Sequence, residues 1–272
     1  MDLFSYLLGK KSGGSPAPVV DTGAFKVSSI SEMNLLTGMK NGDVCVIEMT
    51  IPEDYTEISY IEGSGTQYID TLYKPNQTKT EITFQQPNAI ENSVYVTGIK
   101  DSADHDGARY FVCMYNHSNS KFVCSNRTGS NWPNLGNYNS NVNTVIYNDS
   151  SHYVYFNGTS KGTIETLTQE TEYNLILFAS NNQGTVDENK FVGKIYNCKI
   201  TNNTTGFYER YLLPCKKNSD DEIGMYDIAN DTFYSNSGTG DFTGGTTVTK
   251  TVAYTICEYV ENTGWIFKGN VE

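Results

Sequence analysis

The sequence predicts an all-β protein, and three observations carry that expectation. Tyr (20 residues), Gly (24 residues), Thr, Asn and Val are abundant while Leu and Ala are scarce, a mixture that suits pleated, half-buried surfaces joined by tight turns. Between Pro52 and Thr247, short β-rich runs recur every ten residues or so, each bounded by Gly, Asn, Asp or Ser. No segment of that stretch sustains the 3.6-residue apolar period of a helix.

The runs include Glu57–Glu62, Thr80–Gln85, Ser93–Ile99, Tyr110–Tyr115, Lys121–Ser125, Thr144–Tyr147, Tyr153–Phe156, Tyr173–Phe178, Gly193–Ile200, Phe207–Leu213 and Ile223–Asp227. Tyr153-Val154-Tyr155-Phe156 runs into Asn157-Gly158, the dipeptide of a two-residue hairpin turn. So many strands at this spacing predict a sandwich or barrel. In Gln67-Tyr68-Ile69-Asp70 the alternation sets Tyr68 and Asp70 on one face and Gln67 and Ile69 on the other. Pro214 is expected to end a strand, because it has no N–H for the ladder. Gly224 and Gly238 mark backbone crowding or positive φ.

Outside this stretch lie smaller pieces. Residues 1–11 place Leu3, Phe4, Leu7 and Leu8 on one face of about two helical turns, too short to be stable alone in water. With the flexible SGGSPAP that follows, residues 1–20 read as an anchor peptide that docks on a partner. Val44–Glu48 is a strand by β-branched content. Near the C-terminus, Tyr254–Tyr259, the turn Glu261–Gly264 and Trp265–Gly269 form a hairpin. Neither piece is large enough to stand alone. A small β-rich module of 21–51 plus 248–272 is therefore expected, with 52–247 inserted into it.

Charge and cysteines exclude several function classes. The net charge of −12 and pI near 4.7 oppose nucleic acid, whose phosphates need clustered Lys and Arg. No apolar run approaches the roughly 20 residues that span a bilayer, so membrane insertion is not expected. MDLFSYLLGKK carries acidic Asp2, and its cations follow the apolar stretch, unlike a secretory signal. The six cysteines are therefore expected to be free thiols packed as small hydrophobes.

Two resemblances add to this reading. Gly42-Asp43-Val44 and the distant Gly264-Trp265-Ile266 resemble a small module recurrent in bacteriophage fibre proteins. Three further segments resemble concanavalin-A-like (laminin-G-like) jelly rolls of phages and prophages. They are Tyr60–Thr71, Gly193–Ile200, and the series Leu213-Pro214-Cys215, Ile223–Asp227, Phe233–Asn236 and Gly238–Gly240. Cys198 and Cys215 recur in the resembling sequences and are expected to be neighbouring core thiols. The resemblance implies a fibre or decoration protein of the virion, assembled in the bacterial host cytoplasm. It would be held to other virion proteins by its N-terminal arm, and a homotrimer is expected. It also implies a lectin-like domain that adheres to host or environmental glycans. A decoration protein without a ligand and a glycan depolymerase are the alternatives.

An enzyme is not expected. Glycoside hydrolysis normally needs two carboxyl groups flanking one bond, and the glucanases of this fold carry them as E-x-D-x-x-E or E-x-D-x-E on one strand. No strand here has that pattern. No cofactor is expected, although Asp101, Asp104 and Asp106 cluster before Gly107 as oxygen ligands do in Ca²⁺ loops. The best sugar-binding stretch is Ser130–Tyr138, where Asn131, Trp132, Asn134 and Tyr138 combine aromatic rings with planar amides in a Gly/Asn loop. Asn116 and His117 are further candidates.

Overall fold

A computed structural model of the chain describes residues 24–100, 110–125, 133–147, 150–164 and 171–272. The chain leaves a first compact unit after Met49 and returns to it at Val252, while Thr50–Thr251 forms a second unit.

The first unit begins with β1 (Phe25–Val27), a one-and-a-half-turn helix α1 (Ile30–Asn34) and β2 (Val44–Thr50). Ser29 caps α1 by accepting the Glu32 N–H at 3.1 Å, and the Glu32 carboxylate reaches back to accept the Ser28 N–H at 2.7 Å. In the second unit the strands are β3 (Tyr55–Glu57), β4 (Ile61–Ser64), β5 (Ile69–Asp70), β6 (Thr78–Gln85), β7 (Val94–Lys100), β8 (Tyr110–Asn116) and β9 (Lys121–Ser125). They continue as β10 (Asn134–Asn137), β11 (Val142–Tyr147), β12 (Tyr153–Phe156), β13 (Thr159–Thr163), β14 (Ile176–Leu177), β15 (Ser180–Asn182) and β16 (Thr185–Val186). The last are β17 (Val192–Asn202), β18 (Tyr208–Lys217), β19 (Ile223–Asp227), β20 (Thr232–Tyr234) and β21 (Thr243–Gly244). The chain then completes the first unit with β22 (Val252–Val260) and β23 (Gly264–Val271), whose sheet order is β1-β2-β22-β23.

The second unit is a β-sandwich. Its smaller sheet runs β10-β9-β8-β7-β14-β5, with β15 and β16 beside β7. Its larger sheet runs β13-β12-β11-β6-β17-β18-β19-β20, with β4, β21 and β3 added along β17 and β18. Among the described strands of this unit pairing is antiparallel except for β15 against β7, and an isolated parallel bridge joins Tyr95 to Lys190. Alternation along β6 buries Thr78, Thr80, Ile82 and Phe84 and leaves Lys79, Glu81, Thr83 and Gln85 half-exposed on the other face. The core between the sheets is aromatic. Phe84 of the larger sheet meets Phe122 of the smaller edge to face, with ring centroids 5.3 Å apart, and Phe178 and Phe191 extend the cluster.

Several local expectations need correction. Glu57–Glu62 is two strands, because Ser59 and Tyr60 leave the ladder to bond Thr246 and Gly245. Of Tyr173–Phe178 only Ile176–Leu177 is strand: Phe178 turns to φ 66° and ends it. Residues 134–137 are strand β10 and not loop. Pro214 does not end a strand; it sits within β18 opposite Met225. Its carbonyl accepts the Ile58 N–H at 3.0 Å on the other edge, where the pairing of β18 with β17 ends at Leu212 and its pairing with β3 begins at Cys215. The missing N–H faces that gap, so no ladder bond is lost.

Candidate functional site

Of the candidate site residues singled out in the sequence, Asn116, His117, Asn134 and Tyr138 are among the described residues. Asn131 and Trp132, the cation candidates Asp101, Asp104 and Asp106, and the anchor residues Leu3, Phe4, Leu7 and Leu8 lie outside the described residues. Strand β10 carries Asn134 and Tyr138 apart: Asn134 pairs with Val123, whereas Tyr138 donates its N–H to Ser120 at the β8–β9 turn, 2.8 Å away. Tyr138 thus joins Asn116 and His117 at one rim of the sandwich, and Asn134 lies further along β10, opposite the middle of β9. Among the described residues no group of three or more His, Cys, Asp and Glu side chains is placed to hold a metal ion.

At the rim, His117 Nδ1 lies 2.9 Å from the Ile90 carbonyl, and the His117 N–H donates to Ser93 Oγ at 3.0 Å. Both contacts tie the β8–β9 turn to the β6–β7 connection. The Tyr138 hydroxyl donates to the Gln86 carbonyl at 3.3 Å, and its ring packs against Tyr115 with centroids 5.7 Å apart. Burial, and then the neighbouring Tyr115, push the Tyr138 phenol upward in pKa. Tyr138 is thereby a packing residue with one polar end. Two amide oxygens here, Gln86 Oε1 and Asn116 Oδ1, are buried without a hydrogen-bond partner.

A second group stands on the larger sheet, on the face turned away from the core. Register places Val142, Gln85, Lys194, Glu62 and Thr243 in one row across β11, β6, β17, β4 and β21. Between Ile195 and Asn197 the β17–β6 register shifts by a residue, a bulge that leaves Tyr196 and Asn197 both half-exposed before Cys198 returns to the core. The bulge turns the Tyr196 ring toward Tyr60, with centroids 5.6 Å apart. The Lys194 ammonium stands 4.1 Å from the centre of the Tyr60 ring. Tyr196 donates its hydroxyl to Gln85 Oε1 at 3.0 Å, and Gln85 Nε2 donates to the Ser140 carbonyl at 2.8 Å. This chain of bonds joins the platform to the loop that follows Tyr138.

Electrostatics hold the platform together. Desolvation pulls the Lys194 ammonium down, but its polar contact with the Tyr60 hydroxyl and the adjacent Glu62 carboxylate outweigh that pull, and its pKa rises. Burial raises the Tyr196 phenol, against the lowering effect of Lys194. Tyr196 therefore stays protonated near neutrality and keeps a hydroxyl donor beside an ammonium, a carboxylate and an amide. Sequence reading missed this group for a definite reason. Tyr60 and Gln85 are more than twenty residues apart, Tyr196 is another hundred on, and the bulge reverses the facing that strict alternation would give Asn197.

No family model matches the chain. No curated protein matches it either. Solved structures are similar to it over part of its length, and two of them are carbohydrate-binding modules of one sialidase. The Ruminococcus gnavus IT-sialidase CBM40 bound to α2,3-sialyllactose is 17% identical with a TM-score of 0.41, covering 54% of this chain and 89% of that one. A second structure of the Ruminococcus gnavus IT-sialidase CBM40 is 18% identical with a TM-score of 0.38, covering 54% of this chain and 90% of that one. The likeness is one of β-sandwich fold alone.

Proposed function

We propose that the second unit is a glycan-binding module and that the platform of Tyr60, Tyr196, Lys194, Glu62 and Gln85 is its site. The observation that supports this reading is the tyrosine pair held half-open on a sheet face amid planar hydrogen-bonding groups. Rings of this kind present an apolar surface to the C–H face of a sugar, while the amide, carboxylate and ammonium match its hydroxyls. In this reading the chain belongs to a fibre-type virion protein, as its sequence resemblance implies, and presents the module for adhesion.

The role is binding rather than cleavage. On this face Glu62 and Glu81 each stand opposite a lysine, Lys194 and Lys199. By strand spacing they are about 16 Å apart, well beyond the roughly 5–10 Å of a hydrolytic pair. Glu57 and Asp227, both buried, spend their oxygens on backbone and side-chain donors.

Glycan-array screening of the intact chain tests the reading, followed by calorimetry with Tyr60→Ala and Tyr196→Ala. Loss of about tenfold or more in affinity is expected for each folded variant. Unchanged affinity in both would remove the platform from consideration, and an array without hits would remove glycan binding. Detection of the chain in purified phage particles by mass spectrometry tests the virion role; its absence there would refute it.

A further inference from the structure

The same outward face carries a second tyrosine pair, on β12. Tyr153 and Tyr155 alternate with the buried Val154 and Phe156, so both point away from the core, with ring centroids 6.2 Å apart. Tyr153 is 42% exposed. Register ties this pair to the first through the sheet itself: Tyr155 is opposite Ile146, Ile146 opposite Glu81, and Glu81 opposite Lys199.

The path between the two pairs is open and polar. From Tyr196 on β17 to Tyr155 on β12 there are three strand spacings of about 4.8 Å and a shift of two to three residues of about 3.3 Å, roughly 16 Å in all. Thr83 and Thr144 lie along it with their hydroxyl oxygens 3.0 Å apart, each half-exposed. Gln85 and Ile146 flank them on the same face. Between the flanking Gln85 and Ile146 the row carries the two threonines, so the face forms a track with an aromatic pair at each end and hydroxyls between.

Charge decides what the track fits. Its two lysines are each matched by a carboxylate, Lys194 by Glu62 in register and Lys199 by Glu81 at 3.7 Å. Besides these the face shows half-exposed Lys79 of β6, a further cation but no cluster for a polyanion, and the chain as a whole carries −12. We infer that the two tyrosine pairs are separate subsites of one track that takes an extended, uncharged, polyhydroxylated chain, contacted along its length and not at a terminal sugar. This rests on the glycan-binding reading above and specifies the ligand class for that site.

The test is calorimetry on the intact chain with a ladder of neutral linear oligosaccharides (cello-, xylo-, manno- and malto-series) from disaccharide to octasaccharide, beside oligogalacturonates of the same lengths. Affinity is expected to rise with length in one neutral series until both subsites are spanned. Tyr153→Ala with Tyr155→Ala should then remove about tenfold from the longest members while leaving the disaccharide unchanged. Length-independent affinity, or an unaffected double variant with unchanged melting temperature, overturns the track but leaves the Tyr60 site standing. Preference for the oligogalacturonates overturns the uncharged class. Binding of neither set overturns the inference for these chemistries, and a hit elsewhere on a glycan array then shows that the Tyr60 reading survives without it.

Discussion

Asn157 shows how much one residue carries in this fold. It sits at φ 50° with Gly158 at φ 75°, the left-handed pair of a tight hairpin between β12 and β13. Its side chain also reaches across to β11: Oδ1 accepts the Thr144 N–H at 2.8 Å, and Nδ2 donates to Oδ1 of the fully buried Asn143 at 3.0 Å. Asn157→Ala strains the backbone and strands a buried amide, and it should cost about 2 kcal/mol in urea denaturation. Asn157→Gly removes the bonds without the strain and should cost about half as much. The turn itself was legible in the Asn-Gly dipeptide; the Asn143 bond was not, because it joins residues on different strands. Gly224 is similar: sequence marks it as crowded, and the structure shows that a Cβ would lie 2.3 Å from the Tyr234 carbonyl oxygen.

Among elements, the strand ends near β3 decide how the sandwich is closed. Glu57 is buried, and its carboxylate accepts the Thr251 N–H at 2.6 Å and the Thr251 hydroxyl at 2.7 Å. Thr50 Oγ1 donates to the Thr251 carbonyl at 2.9 Å, so the first and last residues of the second unit are joined to each other and to β3. Glu57→Ala leaves a buried N–H without its acceptor and should lower the stability of this unit by about 2 kcal/mol, read as a fall in the denaturation midpoint. Sequence reading placed Glu57 at the start of a longer run. Only the positions of Thr246 and Gly245 against Ser59 and Tyr60 explain why that run divides. Within the stretch Ser130–Tyr138 the structure shows Asn134–Asn137 as strand β10.

Across the whole molecule, burial of six free thiols sets the response to pH. Burial pushes Cys45 up to about 11, and Cys215 and Cys257 up to about 12; Cys113, Cys124 and Cys198 rise further. A thiol whose folded pKa is raised binds its proton more firmly folded than unfolded. Its contribution is complete below the unfolded value near 8.5 and is lost as pH rises toward the folded value. Stability should therefore fall above about pH 8.5, with a limiting slope of about 1.4 kcal/mol per pH unit for each thiol ionised on unfolding. Urea midpoints measured from pH 7 to 10 check this; a flat profile would contradict it. A thiol-reactive dye should label the native protein slowly and the unfolded protein at once.

The sequence by itself determined the all-β class, the strand-rich middle, the Asn157-Gly158 hairpin and the alternation that buries Gln67 and Ile69. These are local properties, set by β-propensity, a period of two and turn chemistry within a few residues. Tertiary structure alone decided which runs became strands, where Pro214 is tolerated, and that Tyr60, Gln85 and Tyr196 meet. The reason is that register and bulges are fixed by pairing between distant segments, and a shift of one residue moves a side chain from core to surface.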